Sequence, residues 1–95
     1  MKKSKIHIDT IIELARQQLP NRADIIDQLL KLEKKEFDIK TYVQFVNSEK
    51  LNQKGSEWQF AENIILEHES EGTIVLDILK DNRIGGIEFI NQIPD

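Results

Sequence analysis

The chemistry open to this 95-residue chain begins with its two histidines, His7 and His68, since imidazole titrates nearest to neutral pH. His7 follows Lys2, Lys3 and Lys5, and a basic N-terminal segment implies a solvated ring. His68 stands in Glu67-His68-Glu69, three ligand-type side chains in a row. In a strand, neighbours point to opposite faces. In a helix they splay by about 100°. Either way the three do not converge on one ion, and the run reads as a polar strand end. Asp24 with Asp27, and Asp77 with Asp81, are the carboxylate pairs to weigh for acid–base work. That work needs a concave site where one carboxyl is desolvated. Asp24 and Asp27 fall early in a helical pattern, where the N-terminal dipole favours negative charge. Asp77 interrupts an apolar run, which implies either that one face of its strand is exposed or that it binds turn amides. Ser4, Ser48, Ser56 and Ser70 lie in tail, helix-end or turn contexts, outside any G-x-S-x-G elbow. Gly85-Gly86 precedes a strand-like run, so it marks a bulge or close backbone approach and not a phosphate cradle. Cysteine is absent, which excludes a disulfide framework, a thiolate zinc site and a thiol nucleophile. A non-enzyme without metal or cofactor is the expectation.

The elements that would position these residues follow from hydrophobic period. Ile8, Ile11, Ile12, Ala15 and Leu19 recur at helical spacing. Asp9 or Thr10 is the expected cap, with Glu13 completing a capping box on Thr10, and Pro20 ends the helix. Asn21 is the expected cap of a second helix, whose apolar face is Ile25, Ile26, Leu29, Leu30 and Leu32 and which fades over residues 33–36. Asp38 caps an expected third, with Ile39, Tyr42, Val43, Phe45 and Val46 on one side and Leu51 a turn on; Tyr42, Val43 and Val46 also favour a strand, but their spacing is helical rather than alternating. Gln53-Lys54-Gly55-Ser56 is a break. Beyond it the period shortens to two. Ile74, Leu76 and Ile78 alternate with Val75, Asp77 and Leu79, and Lys80-Asp81-Asn82-Arg83 supplies turn chemistry before Ile84, Ile87 and Phe89. Residues 57–69 read both ways. Trp58, Phe60, Ile64 and Leu66 suit a strand, whereas Ser56 with Gln59, and Ala61, Ile64 and Ile65, suit a helix. The alternation favours a strand ending at Glu69-Ser70-Glu71-Gly72. The expected architecture is α+β: about three N-terminal helices packed on a C-terminal antiparallel β-meander, its last two strands a hairpin. One domain spans residues 1–95, with a flexible basic tail (1–5), a helical part (6–54) and a β-rich acidic part (56–93).

Apolar residues are 39% and charged residues 32% of the chain, a globular composition. Its isoleucine, lysine, glutamate and asparagine content is that of an AT-rich bacterial gene. The basic N-terminus lacks an apolar signal core, and no apolar run approaches a membrane span. A cytoplasmic protein is expected. The net charge of −4 is unevenly spread. Residues 1–55 hold 11 basic and 8 acidic side chains, a net of +3, whereas residues 56–95 hold 2 and 9, a net of −7. Lys31, Lys34 and Lys35 could touch phosphate with the N-terminal lysines, but Glu33 and Glu36 are interleaved and the acidic half repels a nucleic-acid backbone.

Glu57, Glu62, Glu67, Glu69, Glu71, Asp77, Asp81, Glu88 and Asp95 outnumber Lys80 and Arg83 too far for local neutralisation. Such a face either keeps the protein soluble or meets a basic partner. Like charge on a small domain raises the association rate with an oppositely charged protein toward ~10⁸–10⁹ M⁻¹s⁻¹ at low salt. The expected contact residues are Glu57, Trp58, Glu62, Glu67, Glu69, Glu71, Asp77, Asp81 and Glu88. Trp58, Phe60, Tyr42 and Phe89 are the aromatics that could anchor such an interface, although each type is more often core than contact.

The stretch Thr73-Ile74-Val75-Leu76-Asp77-Ile78-Leu79-Lys80-Asp81-Asn82-Arg83-Ile84-Gly85-Gly86-Ile87-Glu88-Phe89-Ile90 resembles the end of a family of small bacterial domains of unknown function. That family shows an apolar strand with an aspartate, an Asp-x-Arg turn, then Ile-x-Gly-Ile-Glu. The resemblance implies a hairpin, and the helical first half departs from the family's mostly strand content. In size, acidity and absence of cysteine the chain is also similar to immunity proteins of bacterial toxin systems, those of contact-dependent inhibition and colicins. That similarity implies a protein that neutralises a basic toxin domain, a nuclease above all. The alternatives are an adaptor using its hairpin edge and a nucleic-acid-binding regulator.

Overall fold

A computed structural model describes residues 5–38, 42–46, 52–56, 58–69 and 72–90. The order of elements is β1 (Lys5–His7), α1 (Ile8–Gln18), α2 (Ala23–Leu30), β2 (Glu36–Asp38), β3 (Val43–Gln44), β4 (Phe60–His68), β5 (Gly72–Leu79) and β6 (Ile84–Ile90). This is α+β overall, with two layers. A four-stranded antiparallel sheet runs in the order β3-β6-β5-β4, and β1 pairs separately with β2.

Three helices on a meander is therefore not the architecture. Among the described residues the helices are two, and strands predominate. The expected third helix dissolves into short strands: Asp38 ends β2, and Val43-Gln44 form β3 beside Ile87 and Gly86. The expected helical part, residues 6–54, holds most of β1 and all of β2 and β3 as well as the helices. Ile39 and Leu51 lie outside the described residues, as does most of the basic tail. The physical reason is strand length. In Glu36-Phe37-Asp38 only Phe37 is buried, and a strand of two or three residues shows too little alternation to register as one. Phe37 lies edge-on to Phe45, with ring centroids 6.0 Å apart, so these aromatics serve core packing between strands.

Local signals explain the helices that do form. Ile8, Ile11, Ile12 and Ala15 are the buried stripe of α1. Its cap is His7, not Asp9 or Thr10: the Asp9 amide donates to His7 Nδ1 at 3.1 Å. The cap position of α2 is Arg22, not Asn21, and its side chain makes no capping bond. Ile25 and Leu29 are buried while Leu30 is exposed, so α2 stops a turn short of the expected fade.

The core lies between the helix pair and one face of the sheet. Ile64 and Leu66 of β4, Ile74, Leu76 and Ile78 of β5, and Ile84, Ile87 and Phe89 of β6 meet the α1 and α2 stripes, with Ile6 and Phe37 closing one end. Each fully buried isoleucine or leucine contributes roughly 1.5–3 kcal/mol. On the opposite face, among the described residues, Val46 and Trp58 pack on Leu79 at one end, and Val75 is buried further along.

Candidate functional site

The open sheet face, opposite the helices, is read from the register. Asn63 faces Asp77, which faces Gly86, which faces Gln44. One step along, Ile65 faces Val75, which faces Glu88, and the same β3–β6 register brings Tyr42 next to Glu88. Another step gives Glu67, Thr73 and Ile90. Cross-strand bonds fix the facing: Thr73 Oγ1 donates to Glu67 Oε1 at 2.9 Å, and Tyr42 Oη donates to Asp77 Oδ2 at 2.8 Å. Desolvation, then Asp77 and Glu88 nearby, raise the Tyr42 hydroxyl above its ordinary pKa.

Glycine makes the tyrosine contact possible. A Cβ on Gly86 would collide with the Tyr42 hydroxyl and stand 2.9 Å from the Val43 carbonyl. The phenol therefore lies across Gly86 to reach Asp77 one strand further on. Gly85, where the β5–β6 register shifts, serves the covered end in the same way: a Cβ there would sit 2.8 Å from the Trp58 ring.

The expected contact residues divide accordingly. Glu67, Asp77 and Glu88 share the open face. Glu62 lies on the helix side, where Arg22 Nη2 donates to it at 2.9 Å. Asp81 sits in the β5–β6 turn and takes the Arg83 guanidinium at 2.7 Å. Burial there would raise the Asp81 carboxyl, but the Arg83 amide and guanidinium outweigh it and hold it below the ordinary range. Glu69 is exposed past the end of β4. Trp58, at 6% exposure, is a core residue and not a surface anchor. Phe89 is likewise buried, and Phe60 is partly exposed at the start of β4. Glu57 and Glu71 lie outside the described residues.

Three contributors lacked a clear sequence signal. Ile65 (56% exposed) and Ile90 (40%) put apolar surface on the open face beside Tyr42 (44%). Within the run Ile64-Ile65-Leu66, composition does not distinguish a strand buried on both faces from one half exposed. Gln18 is the third. Its side-chain amide donates to the Glu67 carbonyl at 2.7 Å and accepts from the Glu67 N–H at 2.9 Å, a contact across 49 residues.

Elsewhere the surface offers a shallow depression lined by Ser56, Gln59, Leu79, Lys80, Asp81 and Arg83. Its carboxylate is already paired with its arginine. Among the described residues no three His, Asp or Glu side chains are grouped to hold a metal ion, and no helix is long and apolar enough to cross a membrane. Comparison with family models, curated proteins and solved structures yields no match for this chain.

Proposed function

We propose that this domain is a protein-binding module that neutralises a basic toxin domain, a nuclease being the expected kind, and that the open sheet face makes the contact. One observation carries the reading. Glu67, Asp77 and Glu88 stand on one sheet face whose other described positions (Tyr42, Gln44, Asn63, Ile65, Thr73, Val75, Gly86 and Ile90) include no cation. Three exposed apolar side chains, Tyr42, Ile65 and Ile90, lie among the carboxylates. Apolar anchors give an interface its affinity. Carboxylates around them steer a basic partner and penalise an acidic one.

The test compares tagged wild type with E67K/E88K, both sites exposed, in extracts of the source organism at low and high salt. The expected result is one basic protein held in equimolar amount by wild type, released by salt and lost by the variant, whose nuclease activity the domain suppresses at one equivalent. Equal capture by the reversed variant, salt-independent capture, or a captured protein whose activity is unaffected overturns the proposal.

A further inference from the structure

Strand β4 is one edge of the sheet, and its outer rim is sealed at both ends by side-chain amides. At one end Gln18 occupies both the N–H and the C=O of Glu67. At the other, Asn52 Oδ1 accepts from the Phe60 N–H at 2.7 Å, next to a register shift between Phe60 and Glu62. Backbone direction alternates along a strand, so the outward bonds at Glu67 fix the rest. Ile65 and Asn63 also direct N–H and C=O outward, while Ile64 and Leu66 bond inward to β5. Among the described residues no strand meets Asn63 and Ile65 on that side. Edges are commonly blunted with lysine, proline or a covering loop; here Asn63 and Ile65, in the window between the two amides, are exposed.

Resting on the open-face reading above, we infer that β4 takes up an extended, basic segment of the partner as an added antiparallel strand, paired through the backbone of Asn63 and Ile65. Strand addition draws affinity from main-chain bonds and specificity from alternate side chains. The added strand's face-side residues fall beside Glu67, Ile65 and Asn63 in turn. Glu67 selects a lysine or arginine. Ile65, with Val75 behind it, selects an apolar side chain two residues on, and Asn63 selects a polar one two beyond that. The occupant is thus a basic–x–apolar–x–polar segment. A second copy of this chain fits less well, because it brings a strand bearing Glu62 and Glu67 against another bearing the same charges, on a chain of net −4.

The probe is the capped peptide Thr-Lys-Thr-Val-Thr-Asn-Thr, added to the 95-residue chain, with amide hydrogen exchange read residue by residue. Saturating peptide should slow exchange at Asn63 and Ile65 at least about tenfold and leave the core amides unchanged. N-methylation of the peptide's valine, whose N–H faces β4, should abolish that protection, whereas methylation of either adjoining threonine should not. Ile65→Pro, which an edge strand tolerates, should remove the response too; if that variant does not fold, the methylated peptides decide alone. No protection, or protection indifferent to which amide is methylated, overturns the inference. So does protection that grows with protein concentration without peptide, with a doubled mass, which would assign the edge to a second copy. Capture lost in E67K/E88K but intact in Ile65→Pro would leave the open face standing and remove the added strand. Peptide protection with unchanged capture by E67K/E88K would do the reverse.

Discussion

Gly86 and Tyr42 form the most tightly coupled pair on the open face, because the tyrosine occupies the space a side chain at 86 would need. Gly86→Ala should therefore cost roughly 1–3 kcal/mol, the usual range for overpacking. In a Tyr42→Ala background the same change should cost less, yet not vanish, because the Val43 carbonyl stands 2.9 Å from the added carbon. Urea unfolding of the four proteins measures the coupling; equal costs in both backgrounds would contradict the contact. Trp58 behaves differently. Its ring closes the covered end over Leu79 and Gly85, so Trp58→Ala should lose about 3–5 kcal/mol. Its effect on partner binding should follow only from the unfolded fraction. A fully folded Trp58→Ala domain with impaired association would return this residue to the interface.

At the scale of elements, Gln18 ties the end of α1 to the edge of β4 while sealing the rim beside Ile65. Gln18→Ala should speed exchange at the Glu67 amide and cost about 1 kcal/mol, the ordinary net value of such hydrogen bonds; unchanged exchange at Glu67 would show that solvent already reaches it. That tie is invisible in sequence, since nothing in Gln17-Gln18 announces a partner 49 residues away. The apolar stripes of α1 and α2 were legible because eight or more residues give a helical period room to repeat, and β5 and β6 because a turn of Asp81, Asn82 and Arg83 separates two apolar runs. Caps were less so: His7 displaced the better cap formers Asp9 and Thr10 because β1 and its pairing with Glu36 hold the chain extended up to Ile8. The short strands failed for the same physical reason as the third helix. Tyr42, Val43, Phe45 and Val46 can satisfy a helical spacing by coincidence over five residues, and only pairing with β6 decides otherwise. Of the candidate site, the acidity was legible and the facing was not. Which of Glu62, Glu67, Asp77, Asp81 and Glu88 share a surface depends on strand register and on Arg22 and Arg83, which remove two of them from the face.

Over the whole molecule, charge is organised so that much of what is paired lies away from the open face. Arg22 bridges the start of α2 to the sheet, donating to Asp24 at 3.1 Å and to Glu62 at 2.9 Å, and both contacts raise its own pKa. The Asp24 carboxyl is held below its ordinary value of 3.8, first by Arg22, with help from Asn82 in the β5–β6 turn against a desolvation cost. Asp81 is lowered as well, by Arg83 acting against burial. A carboxylate whose folded pKa is depressed stabilises the fold above its unfolded pKa and loses that contribution as pH falls through the folded value. Thermal stability should therefore hold from neutral pH down to about 5 and decline below about 4, where the unfolded chain begins to take up protons that the folded chain refuses. Both aspartates are substantially exposed, so the decline should be shallow and further flattened by salt. Arg22→Ala should lower stability at pH 7 and reduce the acid slope, because Asp24 in the folded state then titrates closer to its unfolded value. An unchanged slope in Arg22→Ala would place the acid sensitivity at Asp81 and Arg83, a pairing confined to one turn and independent of how α2 is held against the sheet.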